Sequence, residues 1–237
     1  MLKKLLLFGF LGVFTFNSYS QSEKILNLPS FDKPIFHYGF YLGLNNNGYK
    51  VSYKPSDFDR VNPEVEVSSS IGFNVGLIAD LRLHNNVNLR FEPGLISNTR
   101  TLTFNHIPGA ENIKTREVGA TYLHLPFILK LSTNRLNNIR PYVLGGISYD
   151  YNFSSNDKNS DDNFAGEFRT TSSNIMYELG IGIDLYLSYF KFSPSIRGVF
   201  AISNELLRDN QRPGGSQWTD PIDFLGTRGI FLHLSFE

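Results

Sequence analysis

Residues 71–82 of the chain, IGFNVGLIADLR, alternate between large apolar side chains and small or charged ones. The odd positions carry Ile, Phe, Val, Leu, Ala and Leu, whereas the even positions carry Gly, Asn, Gly, Ile, Asp and Arg. A period of two is that of a β-strand, in which successive side chains point to opposite faces of a sheet. Similar alternation recurs along the chain, so the sequence predicts an all-β protein.

The alternating stretches predict strands at 36–46, 68–83, 87–104, 118–132, 139–153, 172–187, 190–203 and 226–237. The connections between them alternate between long polar segments and short turns. Up-and-down barrels of the bacterial outer membrane have this arrangement, with short turns in the periplasm and long loops outside the cell. The predicted fold is therefore an eight-stranded antiparallel up-and-down transmembrane β-barrel over residues 36–237.

The positions of the glycines predict which face of each strand lies inside the barrel. Most strand glycines share the polar face: Gly39, Gly43, Gly72, Gly76, Gly94, Gly146, Gly180, Gly182 and Gly229. The interior of an eight-stranded barrel is only just wide enough for side chains, so this face is expected inside and the large apolar side chains in lipid. A soluble, lipocalin-like barrel with an apolar interior has the same period and remains the alternative.

Charged side chains share the glycine-bearing face and form a predicted lumen charge network. Its members are Asp80, Arg82, Arg90, Glu92, Lys130, Arg140, Asp150, Glu178, Asp184, Lys191 and Arg197. Buried charges are tolerated only when they are paired and hydrogen-bonded. We therefore predict a plugged barrel and not an open pore. Arg228 lies on the apolar face, which requires the last strand to enter the membrane after this residue.

The first twenty residues have the pattern of a secretory signal peptide. Lys3 and Lys4 precede an apolar run over 5–16, and Ser18 and Ser20 supply the small residues of a cleavage site. The apolar run is too short for a transmembrane helix. We expect a signal peptide over 1–20, a periplasmic N-terminal segment over 21–35, and location in the outer membrane. Whether the 21–35 segment is a tether, a partner-binding peptide or disordered stays open.

Composition and motifs argue against several kinds of site. The 22 basic and 22 acidic side chains cancel, so nothing indicates a nucleic-acid partner. The chain has no cysteine, which excludes disulfides and thiolate metal sites. A glycine-rich phosphate loop and a Gly-x-Ser-x-Gly motif are also missing. Asp157, Asp161 and Asp162 lie in a polar loop whose oxygens suit Ca²⁺, but their spacing does not match an EF-hand. We expect no metal and no cofactor.

His233 and Ser235 are the one candidate catalytic pair, because they share a face at strand spacing. They resemble the His-x-Ser base and nucleophile of eight-stranded outer-membrane lipid A deacylases. However, the strand assignment puts both residues in the lumen near the periplasmic end, where lipid A has no access. We therefore expect a protein without enzymatic activity.

Pro93, Pro126, Pro141 and Pro194 fall inside predicted strands, near the short turns. Proline lacks the N–H that a strand ladder needs, so a bent or bulged periplasmic rim is expected at these positions. Docking of a partner on this irregular rim is the less favoured interpretation.

A series of segments, in order along the chain, resembles the PorT/SprT proteins of Bacteroidota. They are Asn27–Ile35, His37–Asn45, Gly72–Gly76, Asp80–Leu83, Leu89–Leu95, Tyr122–Pro126, Arg140–Gly146, Tyr177–Gly182 and Tyr189–Pro194. The resemblance implies a role in the type IX secretion system, which exports proteins across the outer membrane and supports gliding motility in some of these bacteria. It implies other components of that system as partners, beside outer-membrane lipid, and carries over no catalytic residue.

A small sealed barrel cannot itself pass folded cargo, so an accessory or assembly role in secretion is the expected function. A small ligand-binding or lipid-modifying eight-stranded barrel is the alternative. The two differ in what loss of the protein would change, which is secretion in the first case and lipid A or envelope permeability in the second.

Overall fold

The computed structural model describes residues 25–54, 64–210 and 213–237. Its strands are β1 (Phe36–Tyr53), β2 (Val65–Ser69), β3 (Ile71–His84), β4 (Val87–Phe91), β5 (Gly94–Phe104), β6 (Thr115–Ser132), β7 (Ile139–Asn152), β8 (Ser173–Tyr186), β9 (Lys191–Ala201) and β10 (Ile222–Phe236). A one-turn helix, α1 (Glu111–Lys114), precedes β6, and a 3-10 turn covers Asn163–Ala165. Within these ranges, no helix has the length and hydrophobicity needed to cross a bilayer.

The strands close into a ring in which every pairing is antiparallel. β2 and β3 follow each other at one position in the ring, and β4 and β5 do so at the next position. The ten strands therefore form an eight-stranded barrel. β1 pairs with β10 on one side and with β3 on the other, which closes the barrel. This confirms the predicted eight-stranded up-and-down architecture.

An apolar belt surrounds the part of the barrel nearer the short turns. Its exposed members include Phe40, Leu42, Leu44, Phe73, Leu77, Leu95, Phe127, Leu129, Val143, Ile147, Leu179, Ile181, Ile196, Ile230 and Leu232. The alternate positions, which face inward, are mostly glycine or polar. The large side chains thus point outward to lipid, and the soluble alternative, which needs them inside, does not apply to this part.

The alternation is reversed in the part of the barrel nearer the long loops. On β1, Lys50 lies on the exterior and Tyr49 is buried inside. Buried apolar side chains here form one interior cluster, which we call the apolar cap: Tyr49, Val65, Leu102, Phe104, Ile107, Val118, Phe168, Trp218, Ile222 and Leu225. The strands therefore continue beyond the belt as a barrel with a polar exterior and an apolar core.

This reversal explains why some predicted strand bounds were wrong. β1 runs on to Tyr53, β6 begins at Thr115 and β10 begins at Ile222, each outside the predicted bounds at 46, 118 and 226. The apolar exterior of each strand ends where the reversed pattern begins. A prediction based on an apolar exterior therefore ends the strand before its true end. The segments predicted as long loops are correspondingly shorter. Arg228 is exposed and precedes Ile230, the first belt residue of β10, so the strand does enter the belt after it.

A bulge at Ser70 divides the predicted strand 68–83 into β2 and β3. Ser69 pairs with Arg100, whereas Phe73 pairs with Ser97, so one extra residue stands on this side of the ladder. The insertion moves side chains of one parity from the exterior on β3 to the interior on β2. Ser70 thereby helps to switch the barrel from its lipid-facing to its water-facing pattern.

Of the four strand prolines, only Pro93 coincides with a break, between β4 and β5. The register against β6 is the same on both sides of it, and Pro93 O still accepts from Leu77 N at 2.9 Å. Pro126, Pro141 and Pro194 lie within continuous strands. No register shift occurs at any of the four prolines, so the predicted bulges are not found there. At Pro194 the β8–β9 ladder lacks two pairs, whereas the pairing of β9 with β10 continues.

Candidate functional site

The interior of the barrel is the candidate functional site, because most of the predicted lumen charge network is buried there. Among the predicted network, these residues are buried: Asp80, Arg90, Glu92, Lys130, Arg140, Asp150, Glu178, Asp184, Lys191 and Arg197. Arg82 is only partly buried and lies at the periplasmic end, where Arg140 also lies. The alternation of strand residues brings the others together at mid-height.

Glu92 is at the centre of the charge network. Its Oε2 accepts from Arg197 Nη1 at 2.6 Å, and its Oε1 lies 3.0 Å from Arg90 Nε. All three side chains are fully buried. An isolated buried charge costs several kcal/mol, so this carboxylate and the two guanidinium groups depend on each other.

Toward the periplasm, the network continues through the last residue of the chain. Glu237 accepts from Arg90 Nη2 at 3.2 Å and lies 3.0 Å from Lys191 Nζ. Below it, Lys130 Nζ donates to both oxygens of Asp184, at 2.8 and 2.9 Å. Glu237 was not among the predicted network residues, although it has the inward parity of Ser235, two positions earlier.

Toward the outside, His124 joins two carboxylates of the network. Its Nδ1 hydrogen-bonds Asp150 Oδ1 at 2.7 Å, and its Nε2 lies 2.9 Å from Glu178 Oε1. Glu178 in turn lies 3.9 Å from Arg197, which links this group to Glu92. Sequence reasoning missed His124 because it considered only Asp, Glu, Lys and Arg, although the inward parity of β6 includes it.

His233 and Ser235 both lie inside the barrel, but the structure does not arrange them as a catalytic pair. His233 Nε2 lies 2.5 Å from Asn74 Nδ2, and its ring stacks on Tyr41 with the centroids 4.6 Å apart. Ser235 Oγ has no hydrogen-bond partner among the described residues. Both side chains are buried in the lumen, away from the lipid-facing belt.

The apolar cap closes the extracellular end of the lumen. Two of its members, Phe168 and Trp218, come from the connections after β7 and β9, so these loops fold inward over the opening. Directly beneath, Arg100 donates to Tyr122 OH and to Thr227 Oγ1, both at 3.1 Å. Its guanidinium also lies 4.3 Å from the centroid of the Tyr49 ring. A buried cation thus links the cap to the barrel wall.

Glu205, in the connection between β9 and β10, is the buried acid of this end. It accepts from Thr227 N at 2.5 Å and from Thr227 Oγ1 at 3.0 Å. Burial raises the pKa of the Glu205 carboxyl above its usual range, and the nearby Arg100 guanidinium opposes this only in part. The folded protein therefore favours the protonated form of Glu205 more than the unfolded chain does.

The aspartates of the polar loop after β7 take part in hydrogen bonds within the loops. Asp162 Oδ1 accepts from Phe164 N at 3.1 Å and caps the 3-10 turn, while Asp157 Oδ2 accepts from Ser172 Oγ at 2.5 Å. Across the ranges that the structure describes, no group of three or more His, Asp or Glu residues is arranged to bind a metal. The Ca²⁺ interpretation of this loop gains no support from these contacts.

A strap, residues 27–34, crosses the periplasmic opening. Arg135 Nη1 donates to Leu28 O at 3.2 Å, and Arg82 Nη2 donates to Lys33 O at 2.9 Å. Asp32 accepts from Tyr186 OH at 2.9 Å and lies 3.5 Å from Arg140 Nη1. The described part of the predicted 21–35 segment is therefore docked on the barrel. The predicted signal peptide over 1–20 lies outside the described residues.

Phe31 anchors the strap beneath the charge network. Its ring stacks on His37 with the centroids 4.8 Å apart, and Lys191 Nζ lies 4.8 Å from the centroid of the Phe31 ring. Because Lys191 also contacts Glu237, the strap reaches the lower end of the network. The lumen is thus occupied at three levels, by the cap, the charge network and the strap.

A family model described as "Outer membrane protein beta-barrel domain" matches residues 19–207. No curated protein matches. Among solved structures, OprG from Pseudomonas aeruginosa is 12% identical, with a TM-score of 0.43, over 85% of this chain and 92% of that one. Neisserial surface protein A is 11% identical, with a TM-score of 0.39, over 83% and 95%. AlkL is 11% identical, with a TM-score of 0.38, over 84% and 87%.

Proposed function

We propose that this chain, which belongs to the outer membrane β-barrel domain family, is a plugged, non-enzymatic accessory or assembly barrel of the type IX secretion system. The observation that supports the proposal best is the occupation of the lumen at three levels. A barrel filled in this way is suited to a structural or binding role at the membrane.

The charge network supports the non-channel part of the proposal. Glu92, Arg90 and Arg197 are fully buried at mid-height, with ion-pair distances of 2.6 and 3.0 Å. Opening a passage there would separate buried ion pairs, which costs about 3–5 kcal/mol for each pair that loses a partner. A folded cargo protein would have to displace the whole network. An accessory role beside a translocon therefore fits the filled lumen better than the role of the translocon itself.

The assignment to type IX secretion rests on the ordered segments that resemble PorT/SprT proteins. Several of these segments lie where the structure builds its interior. Asn27–Ile35 includes the whole strap, Leu89–Leu95 contains Arg90 and Glu92, and Tyr177–Gly182 contains Glu178. The resemblance therefore concerns the residues that fill the lumen as well as the belt.

Comparison of the secreted proteins of a deletion strain with those of its parent tests the proposal. We expect cargo of the type IX system to be lost from the medium and restored by the wild-type gene. A complementing variant with the conservative belt change Leu179→Ile is the matched control and should restore secretion equally. Affinity purification of the tagged barrel should recover other components of the system.

Normal secretion in the deletion strain would contradict the proposal. If lipid A or envelope permeability then changed instead, the protein would be a small ligand-binding or lipid-modifying barrel. Single-channel recording on the purified protein examines the plugged lumen independently of the secretion system.

A further inference from the structure

A groove on the exterior of the barrel lies at the outer edge of the apolar belt. It has a volume of about 330 Å³ and is formed by β1, β8, β9 and β10. Its lining consists of Lys50, Tyr177, Phe200, Ala201, Phe224, Gly226, Thr227 and Arg228. Two cations and three aromatic rings thus meet at one place on the outer surface.

The two cations are close neighbours on the same face. In the β1–β10 ladder, Lys50 is opposite Gly226 and Arg228 is opposite Gly48, so the two side chains are diagonal neighbours. Each faces a glycine across the strand pair, and the Phe224 ring lies over Gly226, 2.6 Å from where a Cβ would stand. Both residues are exposed, and neither has an ion pair or hydrogen bond with another residue in the part of the chain that the structure describes.

Neighbouring like charges repel each other and destabilise a strand pair. In the lumen charge network of this barrel, by contrast, buried cations have carboxylate partners, as Arg197 has Glu92. Two diagonally neighbouring cations that have no ion pair among the described residues are therefore a site suited to an anion. Lys and Arg are the residues that bind phosphate by charge-assisted hydrogen bonds.

The aromatic side chains of the groove, which we call the aromatic wall, indicate that the ligand has an apolar part as well as an anionic one. Phe200 is opposite Arg228 on one side and Tyr177 on the other, and the two rings stack with the centroids 5.0 Å apart. One step further along β10, Ile230 is 64% exposed in the belt. The groove thus joins a cationic site to a surface that faces lipid chains. It lies on the side of the long loops, at the level of the headgroups of the outer leaflet.

We propose that this groove binds one phosphorylated lipid of the outer leaflet. The phosphate lies between Lys50 and Arg228, and an acyl chain packs along Tyr177 and Phe200 onto the belt. A free anion would satisfy the two cations, but it would leave the aromatic wall without a partner. This inference goes beyond the proposed secretion role and does not depend on it.

Native mass spectrometry of the whole barrel in detergent tests the proposal, with monophosphoryl lipid A and phosphatidylcholine as probes. We expect one molecule of monophosphoryl lipid A to bind roughly tenfold more tightly than phosphatidylcholine, because two basic side chains face the phosphate. The variant K50Q/R228Q should lose this preference. The variant K114Q/K158Q removes the same charge from the extracellular loops and should keep it.

Three results would overturn the proposal. One is equal affinity of the wild type for the two lipids, and another is equal loss of preference in both double variants. The third is that inorganic phosphate competes as effectively as lipid A, which would mean that the acyl chain contributes nothing. A heat-dependent shift in gel mobility reports folding of each variant. If K50Q/R228Q does not fold, the single variants K50Q and R228Q replace it, and each should weaken lipid A binding.

Discussion

Arg197 Nη1 donates to Glu92 Oε2 at 2.6 Å, and both side chains are completely buried in the middle of the barrel. The shortest contact between opposite charges in the network thus joins β9 to Glu92, which lies between β4 and β5. These segments are not neighbours in the sheet, so the contact spans the lumen. It stabilises the barrel across its interior, in addition to the ladder bonds around its wall.

Removal of one member of this network should weaken the barrel. We expect Arg197→Ala or Glu178→Ala to lower the free energy of unfolding by about 3–5 kcal/mol, because each takes one partner away from buried charges of the network. Resistance to heat and denaturant, followed by the mobility shift in detergent gels, measures the effect. Leu179→Ile, on the lipid face beside Glu178, is the control and should be nearly neutral. Equal behaviour of the three variants would mean that the interior and exterior are wrongly assigned.

The crowding of the interior gives a second prediction. A Cβ at Gly94 would lie 2.0 Å from Tyr41 OH and 2.7 Å from Val75 O, so Gly94→Ala must displace the ring or the strand. We expect a loss of about 1–3 kcal/mol in unfolding free energy. Gly119→Ala on β6 is the matched control, because nothing lies within 4 Å of its Cβ. Chemical denaturation of the two variants side by side measures the difference, and a stable Gly94→Ala would contradict the packing described here.

A third prediction concerns conductance. We expect purified protein in a planar bilayer to show no stable open current, because the cap, the charge network and the strap all occupy the lumen. A steady ohmic conductance in the wild type would contradict this. The belt variant Leu179→Ile, reconstituted in the same way, shows whether brief current steps come from the preparation or from the lumen.

The strap can be tested separately from the barrel. Arg135 donates to two backbone carbonyls of the strap, at Asn27 and Leu28. We expect Arg135→Ala to increase hydrogen exchange of the strap amides, including Phe31 N, while exchange in β7 and β8 stays unchanged. Arg169→Ala, which removes a guanidinium at the opposite end of the molecule, is the control. Unchanged protection of the strap in Arg135→Ala would show that other contacts suffice to dock it.

Glu205 makes stability depend on pH with a defined sign. Its pKa is raised in the folded protein from an ordinary value of 4.5, so the folded state binds a proton more tightly than the unfolded chain. The contribution of this group to stability is therefore greatest at low pH and is lost as the pH rises through its folded pKa. We expect Glu205→Gln, whose amide can still pair with Thr227, to lack this decline. The unfolding midpoints of both proteins, measured from pH 4.5 upward, test this decline in stability. Parallel curves for the two proteins would contradict the raised pKa of Glu205.

The sequence was sufficient to predict the part of the barrel nearer the short turns and its lumen charges. In that part, each strand alternates apolar exterior residues with polar or small interior ones. Leu77 outside and Asp80 inside follow from parity alone. The part nearer the long loops could not be predicted in the same way. There the polar Lys50 lies outside and the apolar Tyr49 inside, and the bulge at Ser70 shifts the parity by one residue. His124 and Glu237 were within reach of the parity argument, since both have inward positions. The docking of the strap depends on contacts more than a hundred residues apart, such as Asn27 with Asn138, which no local pattern reports.

The reversal of alternation along β1 has a consequence for how this protein tolerates mutation. A single strand obeys two opposite selection rules. At Leu44 a polar replacement would face lipid, whereas at Ser52 a leucine would face water. If the effects of hydrophobic and polar substitutions were averaged over the whole strand, the two opposite preferences would cancel. The strand would then appear tolerant of substitution, although each part of it is constrained. Variation among natural relatives should therefore be interpreted separately on the two sides of Asn46, with hydrophobicity favoured on one side and penalised on the other.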